Sequence, residues 1–222
     1  MNKIKCVIFD LDGTLINSMV DVLNCFNNAL LKYNMPTKEI IEFIDCVGGD
    51  LEQVVTKLLP NKEKQNTDLI DKIKKEYVKV YSQCDMANTK PYKGMIEIVD
   101  FLHKQNVYCC VNSNKNEMLS KRCVYIAFPD FVFDRVIGSG MNIKSKPDPE
   151  GVYEIAKEFN LDINNIVYVG DTKTDVLTAK NANVKCIYVK WGQGKSTDLT
   201  LYDNIVVIDN DAQLLNYLKE NI

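Results

Sequence analysis

Residues 7–18 read VIFDLDGTLINS, an apolar strand pattern that runs directly into two carboxylates and a glycine. Asp10 and Asp12 are residues i and i+2 of a strand end, so both can aim at one point, where Gly13 lets the backbone approach a ligand closely. Two anions this close raise each other's pKa unless a cation lies between them or one carboxyl keeps its proton. The segment therefore predicts either a plain Asp-Gly turn or a site for a hard cation such as Mg²⁺.

Short apolar runs flanked by turn residues recur along the chain, and they lack the polar alternation of strands with one solvated face. Helical patterns lie between them, so the sequence predicts an α/β fold with a doubly wound, Rossmann-like parallel sheet. The predicted strands are Ile4–Phe9, Val107–Val111, Arg135–Ile137, Ile166–Val169, Cys186–Val189 and Ile205–Ile208. The predicted helices between and after them are Met95–Lys104, Asn116–Tyr125, Pro149–Phe159, Thr174–Asn181 and Ala212–Lys219.

Residues 17–88 break this rhythm, because they contain no convincing strand and show helical spacing, as at Val22 and Phe26. We therefore predict an all-helical cap domain of residues 17–88, inserted into an α/β catalytic core formed by residues 1–16 and 89–222. Both junctions lie beside the carboxyl end of the first strand, where ligands bind in open α/β sheets. The inserted domain is expected to act as a lid over that site.

Composition and charge exclude several classes of partner. The 222 residues carry 27 Lys plus Arg against 30 Asp plus Glu, so no basic field would gather nucleic acid or an anionic membrane. The amino-terminal apolar run Cys6–Phe9 is too short for a signal peptide, and no stretch approaches ~20 apolar residues. We expect a cytoplasmic protein with a small-molecule partner. Eight cysteines without CxxC spacing indicate reduced thiols rather than disulfides or a zinc site.

Three more polar motifs accompany the predicted strands. Ser113 and Asn114 follow a strand and either contact a ligand or cap the next helix. Lys146 lies in the proline-stiffened motif KPDP and is either a solvated side chain or a cation for phosphate oxygens. Asp171 and Asp175 belong to GDTKTD, where either both carboxylates serve a cation or Asp171 simply caps the following helix. Each motif alone is weak, but together they predict one site at one edge of the sheet.

With DLDGTLINS, SN, KPDP and GDTKTD, and with the loop YVKWGQG at 188–194, the chain resembles the haloacid dehalogenase superfamily. Within it the chain is similar to the phosphoglycolate-phosphatase-like members that carry a helical cap. The resemblance implies a Mg²⁺-dependent phosphatase that hydrolyses a small phosphomonoester, phosphoglycolate-like, through an aspartyl-phosphate intermediate. Asp12 argues against dehalogenase chemistry, because the dehalogenases of the superfamily lack a second aspartate at that position.

The resemblance also implies catalytic roles. Asp10 would attack phosphorus, and Asp12 would protonate the leaving oxygen and then deprotonate water. Ser113 and Lys146 would bind phosphate oxygens, with Asn114 as a further substrate contact.

A metal site follows from the same resemblance. Asp10, the main-chain carbonyl of Asp12, and Asp171 would ligate Mg²⁺, and Asp175 would support the metal from the surrounding shell.

The cap is expected to select the substrate. Gly48 and Gly49 precede a predicted helix, and they are either its plain entry or a substrate-binding loop that dips into the site. The alternative functions are a sugar phosphomutase, a pyrophosphatase, or a non-catalytic binding module that keeps only the fold. We expect a monomer or weak homodimer.

Overall fold

A six-stranded parallel sheet forms the centre of the protein, in a computed structural model that describes residues 3–140, 142–194 and 196–222. The order across the sheet is β5-β4-β1-β6-β7-β8, so the chain winds outward in both directions from β1. The prediction of a doubly wound, Rossmann-like α/β fold is confirmed. The strands are β1 (Cys6–Phe9), β2 (Ile16–Asn17), β3 (Lys90–Pro91), β4 (Tyr108–Asn116), β5 (Arg135–Ser139), β6 (Ile166–Gly170), β7 (Lys185–Val189) and β8 (Ile205–Ile208).

Helices cover both faces of this sheet, because the side chains of β1 alternate between two hydrophobic clusters. Val7 and Phe9 pack in a cluster with the helices Met95–Lys104, Glu117–Ala127 and Asp211–Asn221. Cys6 and Ile8 pack in a cluster with the helices Glu150–Glu158 and Lys173–Ala182. All of these β1 residues are fully buried, which explains the continuous apolar run in the sequence. The helices are α1 (Met19–Lys32), α2 (Ile40–Ile44), α3 (Leu51–Leu58), α4 (Thr67–Gln83), α5 (Met95–Lys104), α6 (Glu117–Ala127), α7 (Glu150–Glu158), α8 (Lys173–Ala182) and α9 (Asp211–Asn221).

The segment between β2 and β3 is helical, and α1 packs on α4 through its apolar stripe. Phe26 of α1 stacks on Tyr77 of α4 with ring centroids 3.8 Å apart and an interplanar angle of 8°. Both side chains belong to the same cluster as one face of the sheet, so this helical unit rests against the core. Among the described residues, no helix has the length and apolar character needed to span a bilayer.

A two-stranded antiparallel ladder was not predicted. Ile16 pairs with Pro91 and Asn17 with Lys90, so the prediction of no strand after residue 16 is wrong at Asn17. A strand of two residues has no periodicity to detect, and only the tertiary pairing makes it visible. The ladder joins the two connections between the sheet and the helical unit.

Asp21 ties the same connections together from inside the first helix. Its buried carboxylate accepts hydrogen bonds from the backbone N–H of Asn88 at 3.0 Å, the side-chain amide of Asn88 at 2.9 Å and the hydroxyl of Thr89 at 2.7 Å. The residues where the chain enters and leaves the helical unit are therefore held against each other.

Candidate active site

Three of the four motifs meet at the carboxyl ends of three adjacent strands, and the fourth, KPDP, lies in the loop between β5 and α7. Asp10 follows β1, Ser113 lies in β4 on one side of β1, and Asp171 follows β6 on the other side. The register pairs Phe9 with Val111 and with Val169. The polar residues that follow these three positions therefore begin side by side on adjacent strands. The motif spacing in the sequence becomes a single cluster because parallel strands end at one edge.

Lys146 links two of the acidic residues. Its Nζ donates to Oδ1 of Asp10 and to Oδ1 of Asp175, each at 2.7 Å, and all three side chains are buried. Burial alone would lower the pKa of Lys146, but the charges of Asp10 and Asp175 outweigh it and raise that pKa well above its ordinary value. The lysine is therefore a fixed cation at the sheet edge rather than a solvated side chain.

Three buried carboxylates surround one small space. Oxygens of Asp10, Asp171 and Asp175 all lie within 4.8 Å of one another. Burial, and then the charge of Asp175, raise the pKa of Asp10 well above its ordinary value and that of Asp171 to about 7. One lysine cannot neutralise three carboxylates, and an all-oxygen donor set is the one that hard divalent cations prefer. The residues present fit a magnesium ion.

Asp171 does not cap α8, which was the alternative reading of its motif. The cap of α8 is Thr172, in a reciprocal capping box with Asp175. Asp171 instead accepts the hydroxyl of Thr14 at 2.8 Å and the backbone N–H of Gln193 at 2.7 Å. Its carboxylate is held by two donors from other parts of the chain, which orients it toward Asp10.

Glycine is required next to Asp171. Gly13 has a φ of +92°, which favours glycine, and a Cβ there would lie 2.5 Å from Oδ2 of Asp171. A Cβ on Gly192 would also collide with this carboxylate. The sequence motif DG is thus explained by close packing against the acidic cluster as well as by backbone conformation.

Asp12 has partners that the sequence did not indicate. Lys115 donates to Oδ1 of Asp12 at 2.7 Å and to the hydroxyl of Tyr81 in α4 at 3.1 Å, and Ser18 also donates to Oδ1 of Asp12. Burial would lower the pKa of Lys115, but the charge of Asp12 outweighs it and raises that pKa. Lys115 directly follows SN in the sequence, and its position beside that motif is the feature from which it could have been predicted as a site residue.

Ser113 and Asn114 lie within β4, which continues to Asn116 beyond the predicted end of the strand. Their alternative role as a helix cap is wrong, because Asn116 caps α6 by accepting from the backbone N–H groups of its first turn. Asn114 exchanges two hydrogen bonds with the backbone of Lys146, at 2.8 and 3.0 Å. Ser113 accepts the backbone N–H of Lys115 at 3.1 Å. Asn114 thus positions the lysine loop.

A cavity of about 140 Å³ lies between the sheet edge and the helical unit. On the core side its lining contains all the predicted catalytic and phosphate-binding residues, Asp10, Asp12, Ser113, Asn114 and Lys146. On the opposite side the predicted cap loop, residues 48–49, lines it too. Asp171 and Asp175 are buried beneath this surface.

The cap loop is also a helix entry, so its two interpretations are compatible. Asp50, the residue after the glycines, caps α3 by accepting the backbone N–H of Gln53 at 2.9 Å. Gly48 and Gly49 have φ values of +96° and +95°, and both line the cavity. Lys57 donates to the carbonyl of Gly48 at 3.2 Å, which holds the loop to its own helix.

Comparison with known proteins identifies the family. The profile of a family described as haloacid dehalogenase-like hydrolase matches residues 7–189, from β1 to the end of β7. The chain belongs to the haloacid dehalogenase-like hydrolases. Phosphoglycolate phosphatase of Pseudomonas fluorescens is 28% identical over 95% of this chain and 78% of that protein. Phosphoglycolate phosphatase of Aquifex aeolicus is 28% identical over 86% of this chain and 87% of that protein.

Solved structures show the same fold for this haloacid dehalogenase-like hydrolase. A crystal structure described as a predicted phosphoglycolate phosphatase from Haemophilus somnus 129pt superposes with a TM-score of 0.84 at 23% identity. It covers 98% of this chain and 99% of that chain. The resemblance inferred from DLDGTLINS, SN, KPDP and GDTKTD, including its phosphoglycolate-phosphatase-like branch, is confirmed.

Proposed function

We propose that this chain is a Mg²⁺-dependent phosphatase that hydrolyses a small phosphomonoester through an aspartyl-phosphate intermediate. The observation that carries the proposal is the buried ion pair of Lys146 with Asp10, inside an acidic cluster and on the wall of a cavity. The family and the names of the relatives support a phosphoric monoester hydrolase. Phosphoglycolate is the substrate in those names, and it is therefore the phosphomonoester with which other substrates of this chain should be compared.

In this proposal Asp10, Asp171 and the main-chain carbonyl of Asp12 would bind the ion. Asp175 would support the site without binding the ion itself. The buried carboxylate oxygens of Asp10, Asp171 and Asp175 support this assignment. When bound, Mg²⁺ would neutralise these charges and polarise phosphoryl oxygens, which makes approach of a phosphate dianion favourable.

The reaction would proceed in two steps on this chain's own residues. A carboxylate oxygen of Asp10 attacks phosphorus, the bond to the leaving oxygen breaks, and Asp12 gives that oxygen its proton. Asp12 then takes a proton from water, the resulting hydroxide attacks phosphorus, and the bond to Asp10 breaks to release phosphate. Lys146 and Ser113 would hold the phosphoryl oxygens throughout.

The cap proposal divides the chain into a helical cap of residues 17–88 and a core of residues 1–16 and 89–222. The cavity supports it, because helices and loops of both parts line the same space. The cap would exclude bulk water and contact the leaving group. The cytoplasmic location and the monomeric or weakly dimeric state stay predictions.

A substrate panel tests the proposed function. Purified protein with Mg²⁺ would be assayed on phosphoglycolate, acetyl phosphate, sugar phosphates and pyrophosphate, with and without excess chelator. We expect phosphate release from monoesters that the chelator abolishes and added Mg²⁺ restores. Full activity in excess chelator would exclude the metal proposal. Transfer to a sugar or cleavage of pyrophosphate alone would favour the other branches of the superfamily.

Asp12→Asn is expected to keep substrate and metal binding but to slow both chemical steps by about 10²–10⁴-fold, since an amide cannot exchange the proton. Rapid-quench measurement of phosphoenzyme formation and decay would separate the two steps. Ser18→Ala is the matched control, because it removes a hydrogen bond to Asp12 without removing the carboxyl group. Turnover of Asp12→Asn near that of the parent would refute the acid/base assignment.

Magnesium affinity is expected to depend on pH. Because the pKa of Asp171 in the metal-free protein is raised to about 7, the ion must displace a proton below that pH. Affinity should rise by at least about tenfold per pH unit below about pH 7, because the pKa of Asp10, another proposed ligand, is raised as well. The raised pKa of Asp171 also means that the metal-free fold loses stability as pH rises from about 4 to about 7.

Calorimetric Mg²⁺ titrations between about pH 5.5 and about pH 7.5 would measure this dependence. Asp171→Asn is the control, because it should bind the ion more weakly and with a flatter pH profile. An affinity of the parent protein that does not change over this range would contradict the prediction.

A further inference from the structure

Lys115 places a second cation on the wall of the cavity. Among the described lining residues it is the one ammonium group besides Lys146, which the proposed function uses for the phosphoryl oxygens. Its side chain is 6% exposed, and its Nζ donates to Oδ1 of Asp12 at 2.7 Å. A substrate with two anionic groups would therefore meet one cation for each of them.

The anionic partner of Lys115 carries no charge when the proposed reaction begins. Asp12 must hold a proton at that stage, because it gives this proton to the leaving oxygen. A buried ammonium group beside a neutral carboxyl lacks an opposite charge, which is unfavourable unless another anion approaches it. Among the described residues, no carboxylate other than that of Asp12 forms an ion pair with Lys115. A carboxylate of the substrate can supply the missing charge.

The position of Lys115 suits a carboxylate that lies close to the ester bond. Lys115 and Ser18 both donate to Oδ1 of Asp12, which leaves Oδ2 for the proton and the leaving oxygen. The leaving oxygen and the Nζ of Lys115 would thus be hydrogen-bond neighbours of one carboxyl group, roughly 5–6 Å apart. A carboxylate on the carbon that bears the leaving oxygen spans this distance and accepts a charge-assisted hydrogen bond from Nζ.

We propose that Lys115 determines substrate specificity by pairing with a carboxylate of the leaving group, and that the preferred substrates are phosphoesters of short 2-hydroxy acids. The inference rests on the proposed function, which sets the phosphoryl group against Asp10 and the leaving oxygen against Asp12. Phosphoglycolate is the smallest ester of this class. A residue of the core, rather than the glycine loop of the cap alone, would thus recognise the leaving group.

The cap takes part by holding Lys115 in position. The hydroxyl of Tyr81, a fully buried residue of α4, accepts from Nζ of Lys115 at 3.1 Å. Arg122 of α6 donates to the carbonyls of Tyr81 at 3.0 Å and Ser82 at 2.7 Å, which fixes the end of α4 against the core. Recognition by the core lysine would therefore depend on how the cap is seated.

Turnover of two matched substrates tests the proposal. Phosphoglycolate and its neutral amide have nearly the same shape, so they differ chiefly in the charge that meets Lys115. We expect kcat/KM of the parent protein to be about 10- to 100-fold higher for phosphoglycolate, the range of a hydrogen bond to a charged group. Equal or higher kcat/KM for the amide would overturn the inference.

Removal of the ammonium group should abolish this preference. In Lys115→Met the kcat/KM values for the two substrates should come within about threefold of each other. Lys115→Gln provides a second neutral version should the first fold poorly. Lys115→Arg keeps a cation, so phosphoglycolate should stay the better substrate. If a well-folded neutral variant lost kcat/KM for both substrates in equal proportion, the lysine would serve only Asp12 and the proposal would be wrong.

A lysine of the cap is the rival, and it has its own variant. Lys57 donates to the carbonyl of Gly48 in the cap loop, and it would reach a substrate carboxylate only by leaving that carbonyl. Lys57→Met should change kcat/KM for phosphoglycolate and its amide in equal proportion. A selective loss of at least about tenfold for phosphoglycolate would assign the carboxylate to Lys57 and overturn the proposal.

Tyr81→Phe tests the positioning role, because it removes the hydroxyl and keeps the buried ring. A carboxylate held equally in bound substrate and transition state affects KM rather than kcat, so KM for phosphoglycolate should rise by about three- to tenfold. KM for the neutral amide and both kcat values should change little. Tyr125→Phe is the matched control at a tyrosine that is 75% exposed, and it should change neither KM. Equal changes of KM for both substrates in Tyr81→Phe would contradict this role.

Binding of non-hydrolysable phosphonates separates this inference from the proposed function. Phosphonopropionate mimics phosphoglycolate, and phosphonopropionamide mimics its neutral amide. Calorimetry should show that the parent protein binds the acid at least about tenfold more tightly and that Lys115→Met binds the two compounds alike. If no ester is hydrolysed but this difference is found, the proposed function fails and the assignment of Lys115 stands. If both esters are hydrolysed alike and both phosphonates bind alike, the assignment fails and the phosphatase proposal stands.

Discussion

Asp10→Asn is expected to lower turnover by about 10⁴-fold or more and to abolish the covalent phosphoenzyme, because the amide cannot attack phosphorus. The variant should fold. The variant loses the Asp10–Lys146 ion pair, but Lys146 keeps its ion pair with Asp175. Replacing the Asp10 carboxylate by a neutral amide also relieves repulsion among three buried acidic residues, which offsets part of that loss. Acid-quenched protein analysed by mass spectrometry would show the phosphoryl adduct in the parent and its absence in the variant.

Asp50→Asn is the matched control for this experiment. It makes the same chemical change in a residue that lines the cavity, and asparagine caps a helix as well as aspartate does. Hydrolysis of acetyl phosphate, which needs little from the cap, should therefore stay within a few-fold of the parent. If Asp10→Asn retained the phosphoryl adduct, the nucleophile would have to be another residue, and the proposed mechanism would be wrong.

Lys146→Met is expected to cause a large loss of both stability and activity. With the lysine removed, Asp10 and Asp175 lose the one cation that pairs with them among the described residues. Removing one partner of a buried ion pair costs about 3–5 kcal/mol, so the metal-free protein should lose that much free energy of unfolding in urea near neutral pH. Turnover should fall by about 10²–10³-fold, because a cation for the phosphoryl oxygens is missing.

Lys115→Met is the control for Lys146→Met, because it also removes a buried lysine and so shows how much of the loss is specific to Lys146. The side chain of Asp12, its partner, is 28% exposed and stays hydrated, whereas that of Asp175 is fully buried. The Lys115 variant should therefore lose only about 1 kcal/mol. Saturating Mg²⁺ should restore part of the stability of Lys146→Met, since the ion would take over the neutralisation. Equal destabilisation of the two variants would contradict the assignment of Lys146 as the central cation.

The sheet was predictable because each of its strands carries a local signature. β1, β6 and β7 are compact apolar runs, and burial on both faces produces that pattern without reference to other parts of the chain. β8 is an apolar run as well, although it lies at the edge of the sheet and only its Ile208 is buried. The exceptions have tertiary causes. β4 continues through polar residues to Asn116 because β5 pairs with it there after an irregularity in register. The β2–β3 ladder joins residues that are distant in the sequence and have no strand pattern.

The acidic half of the site was predictable for the same reason, since Asp10 and Asp171 each follow a strand directly. The pairing of charges was not. The sequence could not indicate that Lys146 contacts Asp175 or that Lys115 contacts Asp12, because partners up to 103 positions apart depend on how the loops pack. The orienting hydroxyl of Thr14 was missed similarly, although it lies two residues from Asp12. Its partner Asp171 is 157 positions away.

The β2–β3 ladder has a consequence for protein engineering. Ile16 and Pro91 are paired neighbours on adjacent strands, about 4.8 Å apart in spacing. A tight turn of a few residues could therefore join the two strands and replace everything between them without moving β1 or its aspartates. A minimal, capless chain of this kind, or a chimera with a foreign helical unit grafted at the same two points, would keep the sheet edge while changing what covers it. The ladder is therefore a junction at which different cap domains could be joined to the same catalytic core, so that substrate preference changes while the catalytic residues stay the same.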